Sequence, residues 1–207
     1  MTNREWQETL ARVRPGDFLG WSIPNTKQDI SNLPSWLTQW GTGILSHIEI
    51  VKRVINDDAG KPIDVEVITA NGNEVAVELT HHKIKDHMDR LNLYIMQYYD
   101  AAESDRLAFV EMAQKEADLK TIYNWDIIKI IMRKAALCKI WVIGGLFNKS
   151  VWFTPPFDKK EMPGTICSKS CVKYIRSRFP SFMRKHWVDY IPPSAIFDDE
   201  DMSIFRP

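Results

Sequence analysis

Cysteine is scarce in this chain, with three thiols in 207 residues. An odd and small number is poor material for a disulfide framework and fits synthesis in a reducing compartment, so the thiols are expected to be free. An excess of charge of either sign is also missing. Lys plus Arg and Asp plus Glu number 27 each, so there is no sign of the broad basic surface that a nucleic-acid binder usually needs, and nucleic acid is not expected as a partner. Long uncharged apolar runs are absent as well. The most apolar stretch, IIKIIMRKAALCKIWVIGGLF, is interrupted by Lys129, Arg133, Lys134 and Lys139, well short of the roughly 20 residues that span a bilayer. Membrane contact is not expected. The first residues, MTNREWQETLARVRPGD, are charged and hold no apolar core of an export signal, which gives a cytosolic expectation. No internal repeat or low-complexity tract occurs, and composition never shifts enough to mark a second domain; residues 1–207 read as one domain.

What is present is a regular series of elements. Trp6, Leu10 and Val13 recur at helical spacing and stop at Pro15-Gly16. DFLGW (17–21) reads as a strand, followed by a long connection that includes the tryptophan-rich LPSWLTQWGTG. LSHIEIVKRVI (45–55), PIDVEVITA (62–70) and EVAVEL (74–79) are rich in β-branched residues and separated by the turn formers NDDAGK and NGN, the pattern of an antiparallel meander. LNLYIMQYY (91–99) supplies another strand. A helix over 105–118 follows, with Ser104 as its cap and Leu107, Phe109, Val110, Met112, Ala113 and Ala117 on its buried side. A second helix is expected over 125–141, then a long loop, FNKSVWFTPPFDKKEMPG. Strands in succession followed by helices make the expected class α+β.

Cys167 and Cys171 lie four residues apart in PGTICSKSCVKYI. A single Cx3C spacing with no second cysteine pair and no compact histidine cluster is a poor zinc pattern, so no metal is expected. A disulfide between residues four apart on one helix sits at the edge of acceptable geometry. Core packing suits Cys171, which shares a helical face with Val172, Tyr174 and Ile175. Cys167 has a further possibility. With Thr165 as N-cap it is the second helical residue, where unpaired N–H groups and the positive end of the helix dipole favour a thiolate. A nucleophilic thiol needs a general base. Of five histidines His47 stands inside an apolar strand, whereas His81, His82, His87 and His186 lie in polar stretches; a structural role for His47 remains the alternative.

RPGDFLGWS, LPSWLTQWGTGILSHIEIV, YNWDII and ICSKSCVKYI, in that order, resemble the circularly permuted NlpC-like hydrolases of the papain-like superfamily. In that family a GD strand precedes an SH strand and a CS helix comes last. The likeness spans Pro15 to Ser177, and the acidic residue two places after the histidine, Glu49 here, is similar to phage-encoded members. The resemblance implies a papain-like fold, Cys167 as nucleophile, His47 as base, a thioester acyl-enzyme and no cofactor. It also implies a peptide or peptidoglycan-like substrate cut at an amide bond, with virion association if the chain is phage-encoded. A third polar group would orient the imidazole. The glutamate position of the family's strand pattern is occupied here by Thr69, with Asn71 on the same strand face. Asn71 equally suits the Asn-Gly turn. Glu49 shares strand parity with His47 and is a candidate to bind a cationic part of a substrate, or is a solvated or salt-bridged strand residue. Trp40, with Trp36 and Trp21, is a candidate wall of a substrate cleft, or packing. A lipid-directed thiol acyltransferase or esterase, and a non-catalytic binding or virion module on the same fold, are the competing functions; the former typically carries a second histidine soon after the first, and none occurs between His47 and His81.

Overall fold

A computed structural model describes residues 3–22, 45–71, 74–79, 92–129, 163–184, 191 and 193–206. In chain order the named elements are α1 (Asn3–Leu10), β1 (Phe18–Ser22), β2 (His47–Asn56), β3 (Pro62–Asn71), β4 (Glu74–Leu79) and β5 (Asn92–Tyr98). They continue with α2 (Glu103–Asp118), α3 (Cys167–Arg176), α4 (Pro193–Phe197) and β6 (Met202–Phe205). The tryptophan-rich segment before His47, the continuation of the expected helix beyond residue 129 and the long loop to Met162 lie outside the described residues.

The six strands form one antiparallel sheet in the order β4-β3-β2-β1-β5-β6. The class is therefore α+β, as the succession of elements suggests. The five strands read from the sequence are present within one or two residues of their expected ends, because β-branched residues between turn formers favour the pleated, half-buried surface. β1 lies between β2 and β5 and so places DFLGW at the centre of the sheet. The C-terminal strand β6, short and preceded by acidic residues, is not evident from the sequence.

Alternation along the strands divides the core in two. On one face Phe18, Ile48, Ile50, Ile68 and Met96 meet Phe109 and Ala113 of α2 and Cys171, Val172 and Ile175 of α3. On the other, Leu19, Trp21, Val51, Val65, Val67 and Ile95 meet Trp6 and Leu10 of α1 and the following Val13. Each fully buried Leu, Ile or Phe contributes about 1.5–3 kcal/mol relative to exposure, so both layers hold the sheet. Gly16 makes the entry to β1 feasible: its φ is +85°, and a Cβ there would come within 2.5 Å of the Arg106 backbone.

Two helix readings change. The cap of α2 is Ala102, whose N–H is taken by the side chain of Asp105 at 3.2 Å, and not Ser104. Its buried residues are Phe109, Ala113 and Glu116, while Leu107 is exposed. α3 begins at Cys167 itself, with Ile166 in the extended N-cap conformation, so Cys167 is the first helical residue; Thr165 instead bonds Ser170 through their hydroxyls at 2.6 Å.

Candidate active site

β1 and β2 are joined at their ends where Trp21 pairs with His47. The Ser46 N–H and hydroxyl both donate to the Trp21 carbonyl, at 2.8 and 3.0 Å. This pairing also aligns the Trp21 indole with Glu49, and its N–H donates to Oε1 at 2.6 Å. The other carboxylate oxygen, Oε2, lies 3.8 Å from His47 Nε2. Thr69, directly opposite Glu49 across the β2–β3 ladder, places Oγ1 2.7 Å from the same nitrogen. Three neighbouring strands thus supply the indole, the imidazole with its carboxylate, and the hydroxyl.

Register is also what admits the cysteine. The β2–β3 pairing runs up from the Asn56 end and stops at Glu49 opposite Thr69, although β2 begins two residues earlier and β3 continues to Asn71. β3 pairs onward with β4 up to Asn71 opposite Glu74. Beyond the last β2–β3 pair, Cys167 lines one cavity with Ile48 and Glu49 of β2, and the main-chain N–H groups of Ile48, Ser168 and Cys167 pull its thiol pKa down. The nucleophile candidate therefore meets the strand one residue away from His47.

The segment before α3 is held from two sides. Asn124 N–H donates to the Thr165 carbonyl at 2.8 Å and Thr165 N–H to the Ile122 carbonyl at 3.0 Å. Gly164 is needed there, because its φ is +78° and a Cβ would come within 2.6 Å of the Ile122 carbonyl. From the other side Glu116 of α2 accepts hydrogen bonds from Ser170 Oγ at 3.0 Å and Tyr174 OH at 2.6 Å, and pairs with Lys173 Nζ. Glu116 follows Phe109 and Ala113 at i+7 and i+3, so its spacing alone places it on the buried stripe; the sequence reading passed over that signal.

Electrostatics at the sulfur differ from the expectation of a dipole-stabilised thiolate. Cys167 is only 5% exposed. Burial pushes its thiol up to about 11, against the pull of the three N–H groups and with a further push from the Glu49 carboxylate. Desolvation outweighs the helix terminus. Cys171 is buried in the core, as the packing reading expects, and its thiol is raised by burial and then by the charge of Cys167. Both cysteines border a cavity of about 10 Å3 with Phe18, Glu49 and Ile68 among its walls, at the lower limit of space for one water.

Of the sequence-derived site residues, the structure brings His47, Glu49 and Thr69 together and sets Cys167 against the residue after His47. Glu49 is buried at 2% exposure, so its carboxylate serves Trp21 and His47 within the protein and is not a surface ligand for a substrate cation. Asn71 closes β3 opposite Glu74; its side chain, and the whole of Trp36 and Trp40, lie outside the description. Trp21 is a core residue and a donor, a role visible only once β1 and β2 are paired. Among the described residues no group of three or more His, Cys, Asp or Glu is arranged to hold a metal, and no helix is long and apolar enough to cross a membrane. Compared with models of known protein families and with curated proteins, the chain matches none.

Proposed function

We propose that the protein is a thiol-dependent hydrolase of the papain-like, permuted NlpC kind, in which Cys167 attacks the carbonyl carbon of an amide. The observation that carries this reading is the meeting of Cys167 and β2. Cys167 and Ile48 line one cavity, and the preceding residue, His47, has its Nε2 engaged by Thr69 Oγ1 at 2.7 Å beside the buried Glu49 carboxylate at 3.8 Å. With Nε2 as the N–H donor to Thr69, Nδ1 is the basic nitrogen of the ring.

In the proposed reaction His47 Nδ1 takes the thiol proton as the sulfur bonds to the carbonyl carbon. The resulting imidazolium is stabilised by Glu49, and it protonates the leaving amine as the C–N bond breaks. The thioester is then hydrolysed by a water that His47 deprotonates, and the proton returns to the sulfur. Thr69 and Glu49 are positioning residues in this scheme. The resemblance supplies the substrate class, peptides of the peptidoglycan type.

One observation favours a second reading, a binding or virion module without catalysis: Cys167 is 5% exposed and burial pushes its thiol up to about 11. Incubating the protein with peptidoglycan peptide fragments and with acyl esters, followed by mass spectrometry, separates the possibilities. Fragment cleavage that is lost in Cys167→Ala and in His47→Ala is the expected result. A Cys167 adduct from the esters alone assigns the site to lipid chemistry, and no cleavage with no adduct supports the module.

A further inference from the structure

Away from the cysteine, α2 and α3 leave a groove of about 1000 Å3 between their outer faces and the Pro163–Thr165 segment. Helical spacing builds its walls. α2 with its C-cap contributes Lys115, Glu116 and Leu119, and α3 contributes Lys169, Lys173 and Arg176, each set falling on one stripe of its helix. The core-facing stripe of α3, with Cys167 and Cys171, is a different one.

The charge of this lining is uneven in a chain that is neutral as a whole. Among the described residues it carries four basic side chains and one acidic. Glu116 is bound by Lys173 and by the Ser170 and Tyr174 hydroxyls, Lys169 is buried and donates to the Gly164 carbonyl, and Arg176 donates to the Phe182 and Met183 carbonyls; the lining keeps an excess of positive charge, of which the exposed Lys115 and the half-exposed Lys173 are the accessible part. It is apolar as well as basic. Met112 lies in the wall, and Leu119, just past the end of α2, is 71% exposed. Large aliphatic side chains left in water beside a cationic concavity are a mark of an interaction site.

We propose that this groove is a docking site for an acidic peptide segment with an apolar anchor, supplied by a partner protein. Its volume is at the upper end of that of small-molecule sites, far larger than an inorganic anion fills. Its concave form takes a protruding chain, whereas a bilayer surface presses on convex, exposed apolar residues. Carboxylates of the segment meet the exposed Lys115 and the half-exposed Lys173, and its aliphatic side chain covers Leu119 and Met112. The proposal does not depend on the chemistry of Cys167.

The test is fluorescence anisotropy with a labelled peptide of Glu–Leu repeats, a Gln–Leu peptide of equal length as neutral control, and full-length protein. Expected are saturable binding of the acidic peptide alone, weakening as salt is raised from low to physiological ionic strength, and an about tenfold loss in Lys115→Glu and in Leu119→Asp. Both residues are on the exposed side of α2, and thermal melts that match wild type show that the variants are folded; Lys115→Gln, with a smaller loss in the same direction, replaces Lys115→Glu if that melt differs. Absence of acidic-peptide binding, equal binding of both peptides, or indifference to both substitutions overturns the proposal. So does full displacement by millimolar inorganic phosphate, which reduces the groove to a simple anion site. Tighter binding to phosphatidylglycerol vesicles than to the peptide, lost in the same variants, assigns the patch to a lipid surface and overturns it too.

Discussion

Replacing Glu49 by Gln should move two properties of the site in opposite directions. Glu49 is buried, raises the Cys167 thiol through its charge, and lies 3.8 Å from His47 Nε2. In wild type a thiol at about 11 is ionised to roughly 0.03% at pH 7.5, against about 9% for an ordinary thiol near 8.5. Iodoacetamide should therefore alkylate Cys167 some 300-fold more slowly than a free thiol of equal access. Access to a buried sulfur also lowers the rate, but it cancels in the pH dependence. Between pH 6 and 10 the rate should rise about tenfold per unit with no plateau. Glu49→Gln keeps the acceptor for the Trp21 indole and removes the charge, so the whole profile shifts toward lower pH and neutral alkylation quickens. Turnover falls in the same variant, because the imidazolium loses its carboxylate. A merely structural Glu49 would slow neither turnover nor quicken alkylation selectively. Peptide mapping of the labelled cysteine by mass spectrometry gives the rates; a wild-type plateau below pH 7, the mark of a thiolate–imidazolium pair at rest, refutes the electrostatic argument.

Other perturbations address the scaffold and the ring. Asp17 is buried, accepts hydrogen bonds from Gln97 Nε2 at 2.8 Å and Arg14 N–H at 2.9 Å, and has a pKa raised by its burial. Its contribution is complete below the unfolded-state pKa and is lost as pH rises through the folded one. Asp17→Asn, which keeps one acceptor oxygen, should thus be more stable than wild type at pH 7 but not near pH 3; urea midpoints at the two values check this, and a pH-independent difference contradicts it. Glu116→Ala strands the Ser170 and Tyr174 hydroxyls and Lys173 and should cost about 2–4 kcal/mol, with Glu116→Gln costing less, both measured by denaturant unfolding. Thr69→Val removes the Oγ1 partner of His47 and should lower kcat with little change in KM or melting temperature; a change confined to KM would argue for substrate contact.

The sheet was readable because its strands are β-branched runs between Gly, Asn and Asp turns, a local signal. The ends of α2 and α3 were harder. Ser104 and Thr165 are good caps by residue type, yet Asp105 reaches back to the Ala102 N–H and Thr165 is drawn to Ser170, side-chain choices that depend on neighbours. Within the site, Cys167 and His47 stand about 120 residues apart, and no spacing rule links them; the apolar strand around His47 and the resemblance suggested the pair. Glu49 reads from its type as a substrate-facing, solvated or salt-bridged acid, because the indole that donates to it is 28 residues away. Burial of Cys167, which reverses the effect of the helix start on the thiol, is a property of tertiary packing and has no counterpart in PGTIC.

Among the described residues, the groups that pull the Cys167 thiol pKa down, from Ile48, Ser168 and Cys167, are main-chain amides. Every residue except proline carries one, so this cradle is encoded by the path of the chain and by no side chain. Substitution at position 48 by another aliphatic residue leaves the donor in place. A one-residue insertion or deletion in β2 above the Glu49–Thr69 pair would turn it away without altering a single named site residue. Among distant descendants of this fold, then, the length of the stretch from His47 to the last β2–β3 pair is a better guide to a retained thiol cradle than the identities of the residues within it.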